Sequence, residues 1–387
     1  MNGWRVAISL TALALTAVGL AGCTAWGTGD EEPPAELTDF DETVRVKRVW
    51  SHKLGNTDEE QRLGLTIATD GARVYAAAQD GRVSAFDAVT GKALWKTDTD
   101  LPLAAGPSFG DELVVVGSSD GDVAALDARD GSVRWTVPVS SEVLASPAVA
   151  FGVVVVRTVD GRVRGLEADD GRERWQIDEP PPRLTLRGNS APAISGDVVV
   201  SGFDDGKVAA ISLTEGVVAW QTALGGQRGR TELERLGDVD AGIRIVGDDL
   251  YVAGYQSRVA MMAIESGQLL WSRDMSSART PGVDWDKIYV ADASGEVTAL
   301  DRTNGVPAWQ QGAFLRRDIT GPVPYRRAVV VGDLEGYLHW LSPEDGAIIG
   351  RERVGGTAIA AEPLVVGDLL FALTADGELI AVSAEEK

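Results

Sequence analysis

Few side chains in this sequence could carry covalent chemistry, and their spacing argues against most of it. Cys23 is the one cysteine, so no internal disulfide and no cysteine-based metal site can form. The two histidines, His52 and His339, stand far apart, and neither has a His or Cys partner at ligand spacing. A zinc site or a Ser-His-Asp triad therefore has no material to work with. Gly117-Ser118-Ser119-Asp120-Gly121 matches the string of a hydrolase nucleophile elbow, but the helix that motif requires does not follow it. The recurring Asp-Gly pairs could suggest calcium, yet the ligand spacing of a helix–loop–helix site is missing. The expectation is a protein with no catalytic residue, no metal and no cofactor.

Aligning the chain on its turns gives those residues another role. A fixed period of about 40 residues marks a repeat architecture. Gly81, Gly121, Gly161, Gly206, Ser257, Gly295, Gly336 and Gly377 occupy a first turn in successive copies. Gly91, Gly131, Gly171, Gly216, Gly267, Gly305 and Gly346 occupy a second. Four residues further on stand Trp95, Trp135, Trp175, Trp220, Trp271 and Trp309, then Gly350 in the seventh copy. The elbow-like string is simply the first turn of the second copy; the first copy has Ala77-Ala78-Gln79-Asp80-Gly81 there. One Trp per copy at a fixed offset is a packing device between neighbouring units, and Gly350 predicts a weaker contact in the seventh.

The elements that carry these turns are short strands. Leu113-Val114-Val115-Val116 is apolar and β-branched, as a buried strand should be. Asp120-Gly121 supplies the positive φ of a hairpin turn. Val123-Ala124-Ala125-Leu126 and Ser132-Val133-Arg134-Trp135 follow as the next strands. A further strand precedes each set, often with a Pro near its start, as at Pro107, Pro147, Pro192, Pro281, Pro322 and Pro363. The eighth copy reaches Lys387 before its Trp, while Arg45-Val46-Lys47-Arg48-Val49-Trp50 has a strand and a Trp with no turns before it. The expected fold is all-β: an eight-bladed β-propeller of four-stranded antiparallel blades over residues 44–387. Residues 46–53 should close the ring beside residues 378–384 and remove its free edges.

Charge and the N-terminus bear on location. With 58 Asp and Glu against 36 Lys and Arg, the chain lacks the cationic surface that phosphate backbones or anionic lipids attract. Nucleic acid is not an expected partner, and any membrane attachment has to be covalent. Val6 to Leu20 is a short apolar run behind Arg5, ending in Leu20-Ala21-Gly22-Cys23. The run is short for a spanning helix. Small residues directly before a Cys resemble the lipobox of bacterial lipoproteins. The resemblance implies that residues 1–22 are a signal peptide and that Cys23 is lipidated. Thr24 in place of Asp implies the outer membrane. Residues 23–43 read as an acidic tether without periodicity. About twenty extended residues at roughly 3.3 Å each reach on the order of 60 Å.

Function should lie where the period breaks. From Trp95 the Trp-to-Trp intervals are regular until Trp175, then lengthen before Trp220 and again before Trp271. The first enlarged connection holds Pro180-Pro181-Pro182-Arg183-Leu184-Thr185-Leu186-Arg187-Gly188. The second runs from Gly226 to Asp240 through Arg228, Arg230 and Arg235. Loops on a rigid scaffold are the usual carriers of function, and apolar anchors beside Arg suit a protein interface. The repeat, with Ala85-Phe86-Asp87 to Trp95 as a clear copy, resembles that of quinoprotein alcohol dehydrogenases, which use pyrroloquinoline quinone and calcium. Over the whole chain the lipobox, tether, blade count and closure resemble the outer-membrane protein assembly factor BamB family. That resemblance implies a non-catalytic lipoprotein facing the periplasm, which binds BamA of the β-barrel assembly (BAM) complex and serves unfolded outer-membrane clients. It places Leu184, Leu186, Arg187, Asp238 and Asp240 at the BamA contact. The competing readings are a small quinone-dependent dehydrogenase and a general protein-binding or sensing propeller.

Overall fold

The structure, a computed structural model, describes residues 32–55, 57, 64–182, 190–224, 239 and 241–387. Among the described residues there are strands and turns but no helix. Ala35–Lys387 forms one compact unit. Its strands assemble into eight blades of four antiparallel strands each, in chain order in every blade but the last. The sheet of blade 2 gains a short inner strand, Gly64–Leu65, paired in parallel with residues 105–106. The first strands of successive blades touch one another around the ring, so they line its channel.

The ring closes through a strand from the other end of the chain. Val44–Lys53 pairs antiparallel with Glu378–Glu386, placing Trp50 opposite Ala381 and Lys53 opposite Glu378. The expected pairing of 46–53 with 378–384 is therefore observed, extended by two residues at one end. Lys53 also binds Asp376 in the adjoining turn, at 2.7 Å between Nζ and Oδ2. Desolvation works to raise the pKa of Asp376. Hydrogen bonds from Lys53, Thr374 and Thr357 outweigh it and hold the carboxyl down to about 2.

The repeated Trp and Gly are two halves of one contact between blades. In the fourth strand Ala93–Asp98, and in its equivalents, the Trp is the inward position of an otherwise exposed edge. A one-residue β-bulge precedes it, for example between Ala93 and Trp95 opposite Phe86 and Ala85. Its ring lies on the second-turn glycine of the next blade: a Cβ on Gly91 would fall 2.6 Å from Cγ of Trp50. The same glycine has φ +69, so both backbone and space exclude a side chain. Each indole N–H then donates to a carbonyl in that turn. The distances are 3.1 Å from Trp50 to Ala88, 3.0 Å from Trp95 to Ala128 and 2.7 Å from Trp135 to Ala168. Trp175, Trp220, Trp271 and Trp309 repeat the bond to Leu213, Ile264, Arg302 and Pro343. His52 belongs to this scheme. Two residues past its Trp, it bonds the Gly91 carbonyl at 2.6 Å, as Thr97 bonds that of Gly131 at 2.7 Å.

At blade 7 the pattern is exchanged between strands. Elsewhere a smaller residue on the third strand faces the Trp, as Ala85 faces Trp95 and Ala299 faces Trp309. Here Trp340 on the third strand faces Gly350 on the fourth. Trp340 is fully buried among Val44, Tyr325, Val382 and Ala384. The expected weak contact is thus corrected: the seam keeps an indole, moved inward by one strand. What it loses is the hydrogen bond, since Nε1 of Trp340 has no partner among the described residues. The cause is the closure. The third and fourth strands of blade 8 come from opposite ends of the chain, so no hairpin turn offers a glycine and a carbonyl. Val44 stands there, 3.2 Å from a Cβ built on Gly350.

Trp340→Ala should destabilise the propeller by about 3–5 kcal/mol, the usual cost of emptying a buried aromatic site. Gly350→Trp should also destabilise it, because its Cβ meets Val44. Denaturant midpoints of the two variants test both, and a midpoint raised by Gly350→Trp would contradict the exchange.

Candidate functional site

The propeller has two unlike faces. Connections between successive blades lie on the same face as the turns between second and third strands; this is the connector face. The other, the turn face, carries the remaining hairpin turns. The two enlarged connections both belong to the connector face, between blades 3 and 4 and between blades 4 and 5. Leu184, Leu186, Arg187, Asp238 and Asp240 lie outside the described residues, as does Cys23. The stems that carry the two connections are described, and they converge.

The first stem leaves Glu173–Asp178, the outer strand of blade 3. The Glu179 amide donates to the Gly161 carbonyl at 3.0 Å. Its carboxylate accepts from Lys207 at 2.6 Å, and Lys207 also binds Asp205 in the first turn of blade 4. Hydrogen bonds to Asp205 and Glu179 raise the Lys207 ammonium to about 12. Arg157 and Asp204 form a buried ion pair between blades 3 and 4. Such a pair is costly to break on one side, about 3–5 kcal/mol, and so fixes the relative position of the two blades.

The second stem leaves Val218–Ala223, and the Leu224 amide binds the Gly206 carbonyl at 3.0 Å. Its far end folds back onto the first. Ser190, where the first connection rejoins blade 4, donates from Oγ to the Ala241 carbonyl at 3.0 Å. The Val239 amide donates to the Phe203 carbonyl at 3.3 Å. Ser190, Val239, Ala241 and Phe203 are all buried. Gly202 makes this possible, because a Cβ there would fall 2.6 Å from Cγ1 of Val239 and 2.9 Å from Oγ of Ser190. The two connections thus share one floor. Asp238 and Asp240 are the sequence neighbours of its central side chain, Val239. Sequence reasoning missed this floor. Its one local signal was a lone apolar residue between two carboxylates.

The chemical candidates are structural. Ser119 sits in its turn with Oγ 3.4 Å from the Pro102 carbonyl, and a strand, Asp122–Asp127, follows. Turn carboxylates bind backbone: Asp87 Oδ1 accepts from the Thr90 amide at 2.7 Å. Among the described residues no group of three His, Cys, Asp or Glu could hold a metal ion. Arg244 and Glu362 form an ion pair between blades 5 and 8. His339 is fully buried in blade 7, with Nε2 2.9 Å from Oδ2 of Asp333. Arg351 Nε donates to Nδ1 of His339 at 3.2 Å, so Nδ1 carries no proton and Nε2 donates to Asp333. Desolvation lowers the His339 pKa against the opposing pull of Asp333. Desolvation works to raise the Asp333 carboxyl, and hydrogen bonds from His339, Tyr337 and Arg317 more than reverse it.

Fold and surface together define a closed propeller scaffold that displays two enlarged connections from a common floor. The family model described as outer membrane protein assembly factor BamB matches residues 37–100, 79–311 and 315–386. A Pseudomonas aeruginosa outer membrane protein assembly factor BamB is 49% identical over 381 residues, covering 98% of this chain and 99% of that protein. One from Xanthomonas campestris pv. campestris is 39% identical over 389 residues, covering 95% and 96%. The crystal structure of BamB from Moraxella catarrhalis has a TM-score of 0.80 at 28% identity, covering 88% of this chain and 100% of that one. Quinohemoprotein alcohol dehydrogenase from Comamonas testosteroni, at 13% identity and a TM-score of 0.67 over 87% of this chain and 76% of its own, shares the fold alone. The chain belongs to the outer membrane protein assembly factor BamB family. It is an assembly factor, and the dehydrogenase reading is set aside.

Two outcomes are expected. Gly202→Val should separate the stems, so amide exchange should accelerate across residues 239–243 while blade 7 stays protected. Unchanged exchange there would remove the shared floor. Separately, the unfolded chain takes up a histidine proton near pH 6.5 that folded His339 resists. Stability from this group is full above that pH and falls as the pH drops below it. The thermal midpoint should decline from about pH 7.5 to about pH 5.5, and His339→Gln should flatten that decline.

Proposed function

We propose that this protein is a lipid-anchored, periplasm-facing accessory subunit of the BAM complex that binds BamA through its two enlarged connections. The observation that supports this most directly is the shared floor. Ser190 and Val239, the described residues that follow sequence segments 183–189 and 225–238, meet around Phe203 and Ala241, so one partner can engage both connections. In this reading Leu184 and Leu186 are apolar anchors. Arg187, Asp238 and Asp240 supply charge whose pairing fixes orientation. Cys23 carries the lipid, in a chain of net charge −22 that an anionic bilayer would otherwise repel. The mechanism is binding and positioning: a rigid ring holds a partner domain in one orientation while unfolded outer-membrane clients are assembled.

Co-purification from solubilised membranes tests the assignment. Leu186→Ala combined with Arg187→Ala should reduce BamA recovery by at least about tenfold, the effect of losing one interface anchor. Undiminished recovery with the double variant rejects the site; a wild-type protein that recovers no BamA rejects the function.

A further inference from the structure

The chain does not leave the propeller where its closing strand begins. Val44, opposite Glu386, lies at the turn face. Were the preceding residues free, as the tether reading has them, the N-terminal segment would depart from that face. Residues 35–43 instead lie against blade 7 within the compact unit. The Thr43 amide donates to the Ile349 carbonyl at 3.0 Å, near the turn face. Arg351 covers the Phe40 ring at 4.9 Å and donates to the Thr38 carbonyl at 3.1 Å. At the far end the Ala35 amide donates to the Leu315 carbonyl at 3.0 Å, and Arg317 donates to the Ala35 carbonyl at 2.9 Å. Leu315 and Arg317 belong to the connection between blades 6 and 7, which is on the connector face.

The grip is built into the blade. Arg317 is buried, and its Nε donates to Asp333 at 2.9 Å. Asp333 also holds His339, and His339 in turn accepts from Arg351. The two arginines that bind the segment are thus joined through one buried Asp–His pair. Residues 35–43 form a strap that crosses the full height of the propeller.

We propose that this strap moves the exit of the anchor from the turn face to the connector face, so that the face bearing the two enlarged connections is the membrane-proximal one. The inference rests on the reading of Cys23 as the lipidated residue. Only residues 24–34 then separate lipid from propeller, and eleven extended residues span about 36 Å. A partner domain bound at the shared floor must sit in that gap, between ring and bilayer.

The test uses the full-length lipidated protein in vesicles of phosphatidylethanolamine and phosphatidylglycerol containing an acceptor-labelled lipid. A donor dye is placed at Gly356→Cys on the connector face, where an added side chain meets nothing within 4 Å, or at Val89→Cys on the turn face, 71% exposed. Transfer to the lipid should be at least about twofold greater from position 356, since strands of five or six residues hold the faces roughly 20 Å apart. Releasing the strap with Ala35→Pro, which removes the amide bonded to Leu315, and Phe40→Ala, which removes the ring under Arg351, should remove the difference. Equal transfer from both positions in bound wild-type protein, or greater transfer from position 89, overturns the orientation. Failure of the lipidated preparation to bind vesicles overturns the anchor reading on which it rests.

Discussion

Everything in this molecule depends on one seam. Eight sheets packed face to face leave no end face uncovered only if the last meets the first, and here the joint is made by backbone pairing within blade 8. Val44–Lys53 supplies that blade's outer strand from the opposite end of the chain. The pairing is antiparallel and carries the same Trp and the same bulge as the covalent blades. Blade 8 therefore meets blade 1 as each of blades 1 to 6 meets its successor, with Trp50 over Gly91 and bonded to Ala88.

The cost of the seam appears one blade earlier. A blade closed without a hairpin turn offers its predecessor no glycine to pack against. Blade 7 answers with Trp340 and Gly350 exchanged between strands. The same absence of a turn leaves the N-terminal segment free to pass along blade 7. Arg351 and Arg317 hold it there through the buried Asp333–His339 pair. Closure, the exchanged Trp and the course of residues 35–43 are consequences of one topological fact.

The two faces divide the work. The turn face carries the Trp contacts that hold the ring together. The connector face is free to vary in length, because its connections, the short strand Gly64–Leu65 apart, cross between blades without joining a sheet. Length varies most on either side of blade 4, where Gly202 lets Ser190 and Val239 meet. A rigid ring and a variable face are the arrangement expected of a scaffold that acts by binding.

The architecture was legible in the residues because each blade repeats one local solution. Asp-Gly and Gly turns specify hairpins, β-branched runs specify buried strands, and a Trp at fixed offset specifies the neighbour contact. Even closure could be read, since Trp50 had a strand but no turns. The positions named for BamA came from lengthened intervals and family resemblance, and they rest on sequence still. What only the tertiary structure decided were relations between residues far apart in the chain. Trp340 replaces the missing Trp from another strand, Ser190 meets Ala241, and Arg351 grips Thr38. No local pattern encodes these, because each depends on which surfaces the closed ring brings together. The sequence determined the blade; the ring determined which blades could differ, and on which face.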